Sequence, residues 1–172
     1  MSQGPTPHIP SQVGPPGGFR RTVGLTLPAA RPTLLWVAVT AVALAVHKLA
    51  SHLLGRPPAN DFLLDTPFAS SVAALVLLVV VAAPLLEEVF FRGLLQGSLA
   101  ITPLGGAGAV IVASAVWAGF HGQYTPFDMA SVFILGLIFG AARAHTGSLL
   151  TPILLHFLVN ALGLTDFLLR HG

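Results

Sequence analysis

One stretch, Ser70 to Leu99, limits what this chain can fold into. It is thirty residues of mostly Val, Ala, Leu and Phe, broken by three charges, Glu87, Glu88 and Arg92. As a helix it covers ~45 Å, more than the ~30 Å hydrocarbon core of a bilayer. It must tilt, protrude or kink, and Pro84 is the place for a kink. Glu87 and Glu88 are the only glutamates in the protein. A charge at the bilayer centre costs roughly 2.5–3.5 kcal/mol on insertion scales, so three in one apolar helix need partners and a role.

Composition puts the whole chain in the same setting. Of 172 residues, 54% are hydrophobic and 8% charged, against about 25% charged in soluble domains. A soluble fold this poor in charge would expose large apolar patches, so the chain reads as a single-domain integral membrane protein in a lipid bilayer. The net charge is only +2 and the basic residues are scattered, without the aromatic interleaving of a nucleic-acid surface. The absence of cysteine excludes disulfides, Fe–S clusters, thiolate zinc sites and a cysteine nucleophile.

The fold class that follows is all-α: a polytopic bundle of about five transmembrane helices behind a disordered N-terminal tail. Residues 1–30 carry six prolines and five glycines and no sustained apolar run. The first span is about Pro32–Leu54, followed by a loop with Arg56, Asp61 and Asp65. Thr66-Pro67 suits an N-cap with proline in the first turn, ahead of the second span. Further spans are about Ala107–His121, Pro126–His145 and a last one from Ser148 or Thr151 to Leu169, the first of them short. Thr125-Pro126-Phe127-Asp128 has the form of a capping box. Arg20, Arg21, Arg31, Arg92 and Arg143 on or toward the inside, against Lys48, Arg56 and Arg170 outside, favour a cytoplasmic N-terminus.

Several polar residues inside the spans could carry chemistry. Glu88 and Arg92 are four apart, share a helix face and can pair; the simpler reading is a structural ion pair. Glu87 lies about 100° round the helix, unmatched, which suits a general base. With a turn centred near Pro103, Glu87 lies sixteen residues before it and His121 eighteen after, so antiparallel helices place both at nearly one depth. His156 and Asn160 also share a face. They read either as interhelical hydrogen-bond glue, or as donors to an oxyanion with His156 open to metal ligation. His47, His52, His145 and His171 sit near span ends and read as interface anchors; Gly136…Gly140 and Gly93…Gly97 read as close-packing patterns. The sequence holds no HExxH, GxSxG or Walker A pattern.

Glu87-Glu88-Val89-Phe90-Phe91-Arg92, then Trp117-Ala118-Gly119-Phe120-His121, then His156-Phe157-Leu158-Val159-Asn160 together resemble the CPBP family of intramembrane proteases (CAAX protease and bacteriocin-processing, or Abi). Its pattern is EExxxR, FxxxH and HxxxN on successive helices. Every polar position matches, and Trp117 stands where the family usually has Phe. The resemblance covers about residues 68–165 and divides the chain into the tail (1–30), a first transmembrane helix and loop (31–66) and a catalytic membrane domain (67–172).

The resemblance implies peptide-bond hydrolysis within a membrane, acting on a membrane-associated protein or peptide; in the eukaryotic members of the family that substrate is a prenylated CAAX protein. Glu87 and His121 would activate water, His156 and Asn160 would stabilise the oxyanion, and Glu88 and Arg92 would support the site. The family is often classed as metalloproteases. Glutamate-activated water needs no metal, yet Glu87, His121 and His156 could hold zinc. The location implied is a bacterial plasma membrane. Two other readings stand beside this one: a non-catalytic scaffold or bacteriocin-immunity protein, and a small transporter or proton pathway. One difficulty is that counting residues along parallel helices leaves His156 roughly 10–15 Å from the depth of His121.

Overall fold

The computed structural model describes residues 24–56, 63–68 and 70–171. Residues 1–23 of the expected disordered tail and the loop residue Asp61 lie outside them. Among the described residues there are five helices and no strand: α1 (Ala30–Leu53), α2 (Val72–Ala100), α3 (Gly105–Gly119), α4 (Pro126–Thr146) and α5 (Leu150–His171). Four are long and apolar enough to cross a membrane, and α3 is a shorter apolar helix of 15 residues, about 22 Å long. The all-helical membrane bundle expected from the sequence is therefore the fold observed. Its outer surface presents large apolar side chains such as Leu34, Leu86 and Phe120, the surface that lipid rather than water tolerates.

Helix α2 starts later than expected. Thr66 does not cap it; its hydroxyl donates to Leu63 O at 2.8 Å within a preceding turn. Ser71 is the N-cap and accepts from Ala74 N at 3.3 Å. It immediately precedes the uninterrupted apolar run, so the backbone needs no second turn before the helix begins.

The helix is continuous over 29 residues but widens twice into π-helix, at Val76–Ala82 and Val89–Leu95. Ala83 N–H bonds Leu78 O and Gln96 N–H bonds Phe91 O, five residues back in each case. The first wide stretch runs into Pro84, which has no N–H to give. In the five-back register Pro84 would have served Val79 O. Asn160 of α5 serves it instead, donating through Nδ2 at 2.8 Å. The departure from a straight helix expected at Pro84 thus takes the form of a changed hydrogen-bond register.

Helices α3 and α4 share the most extensive contact in the bundle, and glycine lets their backbones approach closely. A Cβ at Gly136 would meet Ser114 Cβ at 2.8 Å, and one at Gly140 would meet Val110 Cγ1 at 2.8 Å. The same two residues offer their carbonyls to α2: Arg92 Nη2 donates to Gly136 O at 3.4 Å and Gln96 Nε2 to Gly140 O at 3.1 Å. Four-residue spacing on both helices makes this a matched pair of rungs. Thr125 caps α4 as its sequence suggested, accepting from Asp128 N, and Gly147 ends it at φ +66°. Residues 24–29 lie against the α4–α5 turn, where Leu149 N–H bonds Gly24 O at 2.8 Å. Helix α1 is latched to α4 by His47, which bonds Ser131 Oγ at 2.7 Å and stacks on Phe127.

Candidate active site

The two adjacent glutamates have different surroundings. Glu88 is fully buried, and its Oε1 accepts from Arg92 Nη1 at 3.1 Å and from His156 Nδ1 at 2.9 Å. Its other oxygen is buried without a protein partner. Arg92 is as deeply buried; its guanidinium lies 4.3 Å from the Trp117 ring centroid and 5.5 Å from that of Phe139. Aromatic faces and two carbonyl or carboxylate acceptors thus replace the water this cation has lost. The local pairing of Glu88 with Arg92 is the one their spacing suggests. His156 as a third member is not local and was not foreseen.

Glu87 turns the other way. Its Oε2 accepts from Trp117 Nε1 at 2.5 Å, and no ion pair reaches it among the described residues. A carbonyl can only accept, so His121, whose Nδ1 lies 2.9 Å from Trp117 O, carries its proton on Nδ1. In the neutral ring Nε2 is then the lone-pair nitrogen. The His121 ring meets Trp117 edge-on (centroids 5.2 Å, 78°) and stacks on Tyr124 (5.6 Å, 12°). Tyr124 lies in the loop between α3 and α4. Burial, then the charges of Asp128 and Glu87, push its phenol up to about 12, so it stays protonated at neutral pH.

His156 approaches the other side of the cluster, 5.2 Å from the Trp117 centroid at 77°. The two imidazoles touch one indole and are therefore at most twice that distance apart. This lies at or inside the near end of the depth gap that the count along parallel helices produced. That count followed backbone positions and missed the reach of a large side chain one turn before His121. Asn160 lies one turn beyond His156; one hydrogen of its amide is engaged by Val79 O, and an asparagine amide has two.

A resident zinc ion does not fit this arrangement. Among the described residues no three of His, Asp and Glu gather as a ligand set. Glu87 is turned to an indole N–H, His156 Nδ1 to Glu88, and Trp117 packs against both imidazoles. Two residues of the cluster have little signal in the sequence. Trp117 shares its aromatic bulk with the usual Phe, although indole is also a donor, and Tyr124 belongs to no motif. Its position three residues after His121, as the protein's only tyrosine, was the available signal.

Residues 69–162 match the family described as type II CAAX prenyl endopeptidase Rce1-like. A curated relative is an uncharacterized 24.3 kDa protein of Escherichia coli, 32% identical over an alignment of 133 residues that covers 71% of this chain and 60% of the relative. The chain thus spans less than two thirds of that relative's length. No solved structure matches. The matched residues exceed half the chain and include Glu87, Glu88, Arg92, His121, His156 and Asn160. The chain belongs to the Rce1-like family, within the CPBP proteases that its three motifs resemble.

Proposed function

We propose that this chain is an intramembrane endopeptidase of the CAAX type, in which Glu87 and His121 activate a water molecule for attack on a peptide bond. One observation carries the reading: of two adjacent carboxylates, the buried Glu88 takes both the Arg92 guanidinium and the His156 imidazole, and the half-buried Glu87 takes only a neutral indole N–H. A carboxylate without a counter-ion in an apolar site is a competent proton acceptor. Water would attack the carbonyl carbon and pass a proton to Glu87 Oε1, with His121 Nε2 as the second acceptor. The C–N bond would break as that proton reaches the leaving amine.

The oxyanion would be met by His156 Nε2 and the second amide hydrogen of Asn160. His156 donates from Nε2 only as an imidazolium, because its Nδ1 already faces Glu88. Glu88 and Arg92 would then act by keeping this charge in place.

Family membership supports one substrate class: a membrane-associated protein or peptide, prenylated at a CAAX terminus. The test is turnover of a fluorogenic peptide panel, prenylated and plain, by purified protein and its Glu87→Ala variant, each with and without chelator. Turnover of a prenylated peptide that drops about 10²–10⁴-fold in the variant, with chelator having no effect, is the expected result. Equal turnover by both proteins rejects the assigned chemistry, and a correctly folded wild-type chain with no turnover on any peptide favours a non-catalytic scaffold.

A further inference from the structure

Position 117 is where this chain departs from the motif it otherwise matches, with Trp in place of the usual Phe. The two side chains share aromatic bulk, but only indole carries an N–H. That N–H is in use: Trp117 Nε1 donates to Glu87 Oε2 at 2.5 Å. The rest of the residue is used as well. Its ring face lies 4.3 Å from the Arg92 guanidinium, both imidazoles meet it edge-on, and its backbone carbonyl takes His121 Nδ1. The ring is 3% exposed, so the indole cannot swing away to another partner.

Resting on the peptidase reading above, we propose that Trp117 is a positioning residue that holds the Glu87 carboxylate by its Oε2, leaving Oε1 directed at the water. A glutamate carboxylate on a helix in an apolar bundle has three rotatable bonds and few polar neighbours to fix it. A charge-assisted donor removes that freedom, and small misplacements of a reacting group are costly in rate. The same residue fixes the partner base through its carbonyl, so one position sets both acceptors. In a chain with Phe here the ring contacts would remain and the carboxylate would be held by other means.

Trp117→Phe separates the two functions, because it keeps a ring over Arg92 and deletes only the donor and part of the bulk. On the prenylated fluorogenic peptide, kcat is expected to fall about tenfold with KM unchanged. A loss confined to KM, or no loss, overturns the proposal. A second measurement needs no substrate. The protein has two tryptophans, so Trp36→Phe leaves Trp117 alone. Its indole N–H band in ultraviolet resonance Raman is expected to report a strong hydrogen bond that disappears when Glu87→Ala is added. An unchanged band overturns the proposal whatever the kinetics show. If Glu87→Ala itself keeps wild-type turnover, it is the peptidase reading that fails, and the Raman result still decides the contact.

Discussion

Glu87 and Glu88 are identical in chemistry and adjacent in sequence, so what separates them is direction. A step of about 100° round the helix takes one carboxylate to Arg92 and His156 and the other to an indole and the α3–α4 loop. The loop side has its own reporter in Tyr124, the sole tyrosine. Tyrosinate absorbance therefore follows one residue. In detergent its midpoint is expected at about 12 rather than the ordinary 10.0, and Glu87→Gln should lower it by removing a neighbouring negative charge. The folded chain holds this proton more tightly than the unfolded chain. Its contribution to stability is whole below the ordinary value and is lost as pH rises toward 12. A midpoint at the ordinary value, or one indifferent to Glu87→Gln, would remove Tyr124 from the neighbourhood of Glu87. At this scale the pairing of Glu88 with Arg92 could be read from sequence because four-residue spacing is local geometry. The bonds made by Trp117 and His156 depend on which helices touch, and a lone sequence does not state that.

Between residues and the bundle, helix α2 shows how an irregular element is made tolerable in lipid, where an unpaired carbonyl has no water to turn to. Pro84 withdraws the donor that the five-back register would supply to Val79 O, and Asn160 restores it from α5. Asn160→Ala should therefore destabilise the protein by about 0.6–1.7 kcal/mol, the range for interhelical hydrogen bonds in membranes. In a Pro84→Ala background, where residue 84 regains an N–H, the same substitution should cost less. A double-mutant cycle on reversible unfolding in detergent measures the coupling. Additive costs would mean that Pro84 and Asn160 do not serve the same carbonyl. The sequence marked α2 as too long and named Pro84 as its irregular point, and it marked Gly136 and Gly140 as small by pattern. It could not place the start at Ser71 rather than Thr66, since both residues cap well, nor show that a widened register would replace a kink.

Across the whole molecule, the length of α3 decides how polar groups reach the middle of the bundle. Helices α1, α2, α4 and α5 run between two faces, one holding Ala30, Ala100, Thr146 and Leu150 and the other Leu53, Val72, Pro126 and His171. Helix α3 leaves the first face at Gly105 and ends at Gly119, after about 22 Å. Its end falls short of the hydrocarbon thickness, so His121 and Tyr124 lie recessed from the second face, level enough with mid-helix Glu87 for Trp117 to bond it. Water for hydrolysis would then enter from the second face. The balance of Arg and Lys favours the first face as cytoplasmic, with Arg20 and Arg21 preceding α1 and Arg31 and Arg143 on that side. The chain has no cysteine, so single cysteines report without background. Gly106 lies at the start of α3 at the first face and Gly122 lies in the recessed loop that leads to the second; both are exposed, and a Cβ at either meets nothing within 4 Å. In intact cells, a membrane-impermeant thiol reagent should modify Gly122→Cys from outside and reach Gly106→Cys only after lysis. The reverse pattern would invert the molecule and bring the recess, and the water, from the cytoplasm. Reaction at both positions in intact cells would show that the two loops do not lie on opposite sides of one membrane.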